Sequence, residues 1–195
     1  MTESASPLND DRLRFYLRHQ DQIEEWAALG VEVRQATLEA FRSLGPYVEP
    51  IGVELGVHVR LDDAQGNYPR WILRRPDWPV VGSDPLAAVV LEAERANIAP
   101  ASPSRAPYVG IRIGDPKQSG SDLLTALQPL AKQDDLKARG YRGGSGGYWP
   151  VFRRIPADPT WWESPDAWGL LLSTALREAW AELAPSIDEA VAGRP

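Results

Sequence analysis

The chain has no cysteine, which excludes disulfides, zinc–thiolate centres and thiol nucleophiles. Its two histidines, His19 and His58, are too few for a multi-histidine metal site or a histidine relay. Long apolar runs are missing as well. The longest, residues 86–91, falls far short of the roughly 20 residues that a helix needs to cross a membrane. The polar start, residues 1–9, lacks the basic and apolar regions of a signal peptide. Together with the lack of cysteine, this points to the cytoplasm and to no membrane partner. Basic charge is in deficit too. With 21 basic against 27 acidic residues the net charge is −6, which argues against broad electrostatic binding to nucleic acid. No Walker loop, nucleophile elbow or dinucleotide fingerprint is present, and the glycine-rich stretch 143–147 lacks the lysine and hydroxyl of a phosphate loop. Arginine outnumbers lysine 18 to 3, a bias that fits the GC-rich codons of a high-GC bacterial genome.

What is present describes one α+β domain spanning 1–195, with residues 1–8 as a disordered or extended tail. At 195 residues the chain has enough core to fold without staples. Asn9, Asp10 and Asp11 supply helix-starting acids, and Leu13, Tyr16, Leu17, Ile23, Trp26, Val33, Phe41 and Leu44 recur at helical spacing. This predicts a long N-terminal helix over 11–44, stopped by Gly45-Pro46 and interrupted by Gly30. Residues 51–61 alternate between Ile51, Val53, Leu55, Val57, Val59, Leu61 and smaller or polar positions, which predicts a strand. After the turn cluster 62–67, residues 70–74 return as its hairpin partner. Residues 86–95 fit a helix or a buried strand. A strand paired with 108–113 across the loop 100–107 completes the sheet and is the better reading. A middle helix over 119–139, capped by Ser121, breaks at Pro129. Residues 140–147 form a glycine-rich connection, and 148–155 a last strand. Ser164-Pro165-Asp166 opens a long helix with Trp168, Leu171, Leu172, Ala175, Leu176, Ala179 and Leu183 as its stripe. A short helix at 187–191 follows. The expected architecture is an antiparallel β-sheet flanked by the long N-terminal helix, the middle helix and the C-terminal helices.

Three groups of residues could carry function. Lys137, Arg139, Arg142, Arg153 and Arg154 lie in a window free of acids, interleaved with Tyr141, Tyr148 and Trp149. Basic and aromatic side chains together can grip an anion or a phosphate backbone. Arg142, Tyr148, Trp149, Arg153 and Arg154 are the binding candidates, and Arg70, Arg74 and Arg75 of the hairpin could join them. Ion pairs with Asp134, Asp135 or Glu163 are the plainer reading of those arginines. Among the eight tryptophans, Trp26, Trp168 and Trp180 fall on helical stripes and read as core. Trp78 and Trp161-Trp162 lie in loops that pack on the sheet or anchor a partner. His58 and Glu54 share the polar face of the expected strand and could pair.

Pro76-Asp77 followed by Glu92-Ala93-Glu94 resembles the PD-(D/E)XK nuclease pattern. In that superfamily acids on adjacent strands hold Mg²⁺, which stabilises the charge that builds on phosphate. The resemblance implies Asp77 and Glu92 as metal ligands and Glu94 in the place of the lysine, with Mg²⁺ as the only cofactor. The segments Arg14-Phe15-Tyr16-Leu17-Arg18-His19 and Tyr148-Trp149-Pro150-Val151-Phe152-Arg153 also resemble a family of small uncharacterised high-GC bacterial proteins, which implies no activity. The expected function is therefore a non-catalytic binding or accessory domain without a cofactor. It would engage a protein partner or a second copy, in a defence or regulatory system. A divergent metal-dependent nuclease is the alternative.

Overall fold

A computed structural model describes residues 10–62, 68–82, 84–94, 106–114, 121–144, 147–156 and 163–192. The tail 1–8, most of the 62–67 turn, the start of the 100–107 loop and the Trp161-Trp162 pair lie outside the described residues. The fold is α+β, with a five-stranded antiparallel sheet and flanking helices.

The N-terminal helix is bent rather than continuous. Helix α1 (Asp11–Arg18) is capped by the Asp10 carboxylate, which accepts from the Arg12 amide at 2.8 Å. His19 breaks the ladder, and α2 (Gln20–Arg42) follows. Of the expected apolar face only Phe41 and Leu44 enter the core, joined by Leu38. Leu13, Tyr16, Leu17, Trp26 and Val33 are exposed, because the body of the domain begins only at Thr37. Trp26 is thus not a core residue.

The expected strand 51–61 is mostly helix. Helix α3 (Gly45–Leu55) buries Val48, Ile51 and Gly52 at helical spacing and leaves Val53 exposed. The glycines explain why helix wins. Gly52 lets α3 press on the following strand, since a Cβ there would lie 2.6 Å from Val59 Cγ2. Gly56 takes the left-handed conformation at φ 64°, which ends the helix and reverses the chain. Only β1 (His58–Asp62) remains extended.

The rest of the sheet follows the periodicity. Strand β2 (Arg70–Arg74) pairs with β1, and β5 (Ala87–Glu92) pairs with β2. Between them a small hairpin of β3 (Val80–Val81) and β4 (Asp84–Pro85) stands apart. Strands β6 (Tyr108–Ile113) and β7 (Val151–Arg154) complete the order β1-β2-β5-β6-β7, antiparallel throughout. The expected break at Pro129 separates α4 (Ser121–Leu127) from a 3₁₀ turn (Gln128–Lys132) and α5 (Asp134–Ala138).

Helix α6 (Pro165–Val191) is the main cover of the sheet. It runs through Pro185, so no separate helix forms at 187–191, and it spans about 40 Å. Trp168, Leu172, Ala175, Leu176, Ala179 and Leu183 pack against Trp71, Leu73, Val89, Leu91, Val109 and Ile111 of alternating strand positions. Leu171 lies off this stripe and is exposed. Trp78 folds onto α6, stacks on Trp180 and donates its indole N–H to Asp188 at 2.8 Å.

Candidate functional site: the helix-free face of the sheet

Alternation along each strand sends the other set of side chains to a face on which, among the described residues, no helix packs its apolar side chains. Ile72, Ala88 and Val90 form a small apolar patch there, capped by Trp149. Strand register arranges the polar residues around it in rows. One row runs Asp62, Arg70, Glu92, Tyr108, Arg154 across all five strands. A second runs Arg60, Ile72, Val90, Gly110, Phe152, and Arg142 extends it by bridging to Phe152. His58 lies opposite Arg74, and Arg112 opposite Ala88.

Glu92 is the hub of the first row and is almost fully buried. The Tyr108 hydroxyl donates a short hydrogen bond to it, and Arg70 and Arg112 each approach it to 3.7 Å. Arg70 also holds Asp62, with Nη2 at 2.6 Å from the carboxylate. Burial pushes the Glu92 carboxyl above its usual range, against the pull of Tyr108, Arg112 and Arg70. Burial, and then the Glu92 charge, push the Tyr108 phenol up as well. Arg112 is held below its usual value by burial and then by Arg70. The network is therefore satisfied internally and rigidifies the centre of the face.

Around this hub the arginines lie over rings. Arg112 sits 5.2 Å from the Tyr148 ring, Arg142 5.2 Å from Phe152, and Arg154 5.0 Å from Tyr108. Tyr108, Trp149 and Phe152 pack edge to face beneath them. At the β1 side a depression of about 250 Å³ is lined by His58, Val59, Arg60, Ile72, Arg74 and Pro85. Arg60 reaches Asp84 at 3.2 Å, and Arg74 donates to the carbonyls of Arg75 and Pro76. Six arginines (60, 70, 74, 112, 142, 154) meet four carboxylates (Asp62, Asp84, Glu92, Glu94), so the face is cationic on a chain of net charge −6.

Four of the five sequence-derived binding candidates converge here: Arg142, Tyr148, Trp149 and Arg154. Arg153 does not. Strand alternation turns it to the helix side, where it bonds Glu178 of α6 at 2.7 Å and lies over Tyr141. Of the hairpin arginines Arg70 and Arg74 join the face, whereas Arg75 pairs with Asp188 of α6. Arg139 pairs with Glu182 of α6, and Lys137 with Asp134. Sequence reading missed Arg112, Tyr108 and Phe152. The period-two pattern of 108–113 was the signal for the first two.

The nuclease-like acids are not brought together. Asp77 is exposed in the turn beyond Arg74, at one end of β2, whereas Glu92 lies opposite Arg70 at the other end. Four strand steps, about 13 Å, separate those ends. Glu92 is consumed by Tyr108 and two arginines, and Glu94 lies past the end of β5. Among the described residues no group of three or more His, Asp or Glu side chains could hold a metal ion. The residues therefore do not fit a Mg²⁺ centre. His58 and Glu54 do not pair either, because Glu54 belongs to α3 and holds Arg177 of α6 at 3.0 Å. No described helix is long and apolar enough to cross a membrane. Comparison with family models, with curated proteins and with solved structures finds no match for the chain.

Proposed function

We propose that the chain is a non-catalytic binding domain that holds an acidic segment of a protein partner against the helix-free face of its sheet. The observation that carries this reading is the trio of guanidinium–ring contacts, Arg112 over Tyr148, Arg142 over Phe152 and Arg154 over Tyr108. Cation–π contact with a ring restrains each guanidinium, so less side-chain freedom is lost when it makes a bidentate bond to a carboxylate. It also occupies one face of each ring, which disfavours base stacking and hence single-stranded nucleic acid. The net charge of −6 acts in the same direction, because a long polyanion would meet repulsion outside this patch.

The test is calorimetric titration with an acidic Glu/Ser peptide, a neutral Gln/Ser peptide and a single-stranded oligonucleotide of equal charge. The acidic peptide binds in a salt-sensitive way. Arg142→Gln combined with Arg154→Gln, which spares the Tyr108, Arg70 and Arg112 side chains that touch Glu92, weakens it at least about tenfold. Equal binding of the acidic and neutral peptides would defeat the proposal, as would tighter binding of the oligonucleotide.

A further inference from the structure

The depression beside β1 is lined by more cationic groups than its surroundings offset. Register sets His58 directly opposite Arg74 and Arg60 opposite Ile72, so all three basic side chains rise from the helix-free face of two adjacent strands. Neighbours of this kind stand within roughly 8 Å of one another, close enough for two long arginines and an imidazole to converge on one group. Ile72 and Pro85 supply an apolar wall. Like charges side by side on a sheet destabilise it, and here little opposes them. Arg60 meets Asp84 at 3.2 Å and Asp62 at 4.0 Å. Among the described residues no carboxylate pairs with Arg74, and no group hydrogen-bonds the His58 imidazole.

Arg74 is moreover held in place. Both of its hydrogen bonds, to the carbonyls of Arg75 at 3.2 Å and Pro76 at 3.4 Å, are donated by Nη1. They restrain the guanidinium and leave its Nε–Nη2 edge without a partner among the described residues. That edge is a fork that can bond two oxygens of one anion at once.

Size and charge select the ligand. The volume of about 250 Å³ lies below the roughly 300 Å³ at which pockets for whole small molecules begin, so the depression admits one group at the end of a chain. A carboxylate brings one charge and two oxygens. A phosphate monoester brings a charge of about −1.5 to −2 and three acceptor oxygens, which match two guanidiniums and an imidazole N–H. Asp84 is a weak competitor, because its side chain is 61% exposed and an exposed ion pair contributes little. A phosphate that takes Arg60 returns Asp84 to water.

We infer that this depression is a phosphate subsite, filled by a phosphorylated side chain of the acidic segment that the face holds, which rests on the acidic-segment reading and adds its modification. Spacing agrees. Arg142 and Arg154 lie at the β7 side of the sheet, four strand spacings or about 19 Å from β1. An extended chain covers that span in about six residues, so one peptide reaches both places.

Calorimetric titration compares the acidic Glu/Ser peptide with two relatives, one phosphorylated on a serine about six residues from the acidic cluster and one with glutamate in that place. Phosphorylation tightens binding at least about tenfold and glutamate does not. Arg74→Gln and Arg60→Gln each erase that gain. Arg142→Gln combined with Arg154→Gln weakens all three peptides and keeps it. Equal affinity for the phosphorylated and glutamate peptides, or a gain that survives Arg74→Gln, would overturn the subsite and leave the acidic-segment reading standing. Inorganic phosphate probes the subsite without any peptide. The two histidines give two imidazole signals by nuclear magnetic resonance, assigned with His19→Gln. Phosphate shifts the His58 signal and leaves that of His19, whereas acetate at equal ionic strength shifts neither. No shift with phosphate, or an equal one with acetate, would overturn the inference. So would inorganic phosphate binding as tightly as the phosphorylated peptide.

Discussion

Replacing Gly110 with alanine should unzip one edge of the sheet. Gly110 sits opposite Phe152 in the β6–β7 register. A Cβ there would lie 2.5 Å from the Phe152 Cα and closer still to the Val151 carbonyl oxygen, both backbone atoms that no rotamer change can move. Restoring ordinary contact near 3.4 Å requires β7 to retreat by about 1 Å. The bonds that flank this point, Ile113 N–H to the Tyr148 carbonyl and Ile155 N–H to the Pro107 carbonyl, are each 2.9 Å and would pass beyond hydrogen-bond range. Overpacking of about 1–3 kcal/mol and two weakened bonds at about 1 kcal/mol each give a loss of about 3–5 kcal/mol. For a chain of this size that lowers Tm by roughly 10 °C. Gly143→Ala is the control, because its Cβ would find its nearest atoms at 3.6 Å and its φ is not positive. It should be neutral or stabilise by up to about 1 kcal/mol through the unfolded state. Thermal unfolding followed by circular dichroism reads both. A Gly110→Ala variant within about 1 kcal/mol of wild type would refute the steric argument.

Glu92 should make the fold less stable as pH rises. Its folded carboxyl titrates above the ordinary value of 4.5, so between that value and its raised one the folded state holds a proton that the unfolded state has lost. Stability is then greatest below pH 4.5 as far as this group is concerned, and declines as pH climbs through the raised value. Urea midpoints measured against pH should show that component vanish in Glu92→Gln. Asp188→Ala removes the acceptor of the buried Trp78 indole and the partner of Arg75, and should destabilise by about 1–3 kcal/mol in urea titration. Leu176→Ala empties a fully buried position between α6 and the sheet and should lose about 2–5 kcal/mol by the same measurement. Calorimetric titration of Mg²⁺ should give no binding heat that Asp77→Asn and Glu92→Gln remove, because those side chains stand at opposite ends of β2.

The parts of the fold legible in the sequence are those where one periodicity faced one core. Strands β2 and β6 and the stripe of α6 were readable because alternation or a 3.6-residue repeat pointed the right side chains at the core, whereas β5, buried at every position, left helix and strand both open until its pairing with 108–113 was considered. Residues 51–55 misled because Ile51, Val53 and Leu55 alternate by chance, while the deciding feature was Gly52 meeting Val59, a contact outside the local window. Trp26 misled differently. Its helix and stripe were correct, but a stripe does not say what covers it. The site was half legible: Arg142, Tyr148, Trp149 and Arg154 stood in one basic and aromatic window, whereas Arg60, Arg112 and Tyr108 come from strands distant in sequence.

Composition and local pattern by themselves determined that this chain makes helices around an antiparallel sheet, contains no thiol chemistry, and carries few histidines and a net negative charge. Those properties depend on residues within a few positions of one another, or on simple sums. Only the tertiary structure decided which face each arginine occupies. Strand register carried Arg153 to α6 and its neighbour Arg154 to the open face, and it set Glu92 between Arg70 and Arg112 and away from Asp77. A period of two reverses the side-chain direction at every residue, so one step in the chain separates an ion pair with α6 from the helix-free face.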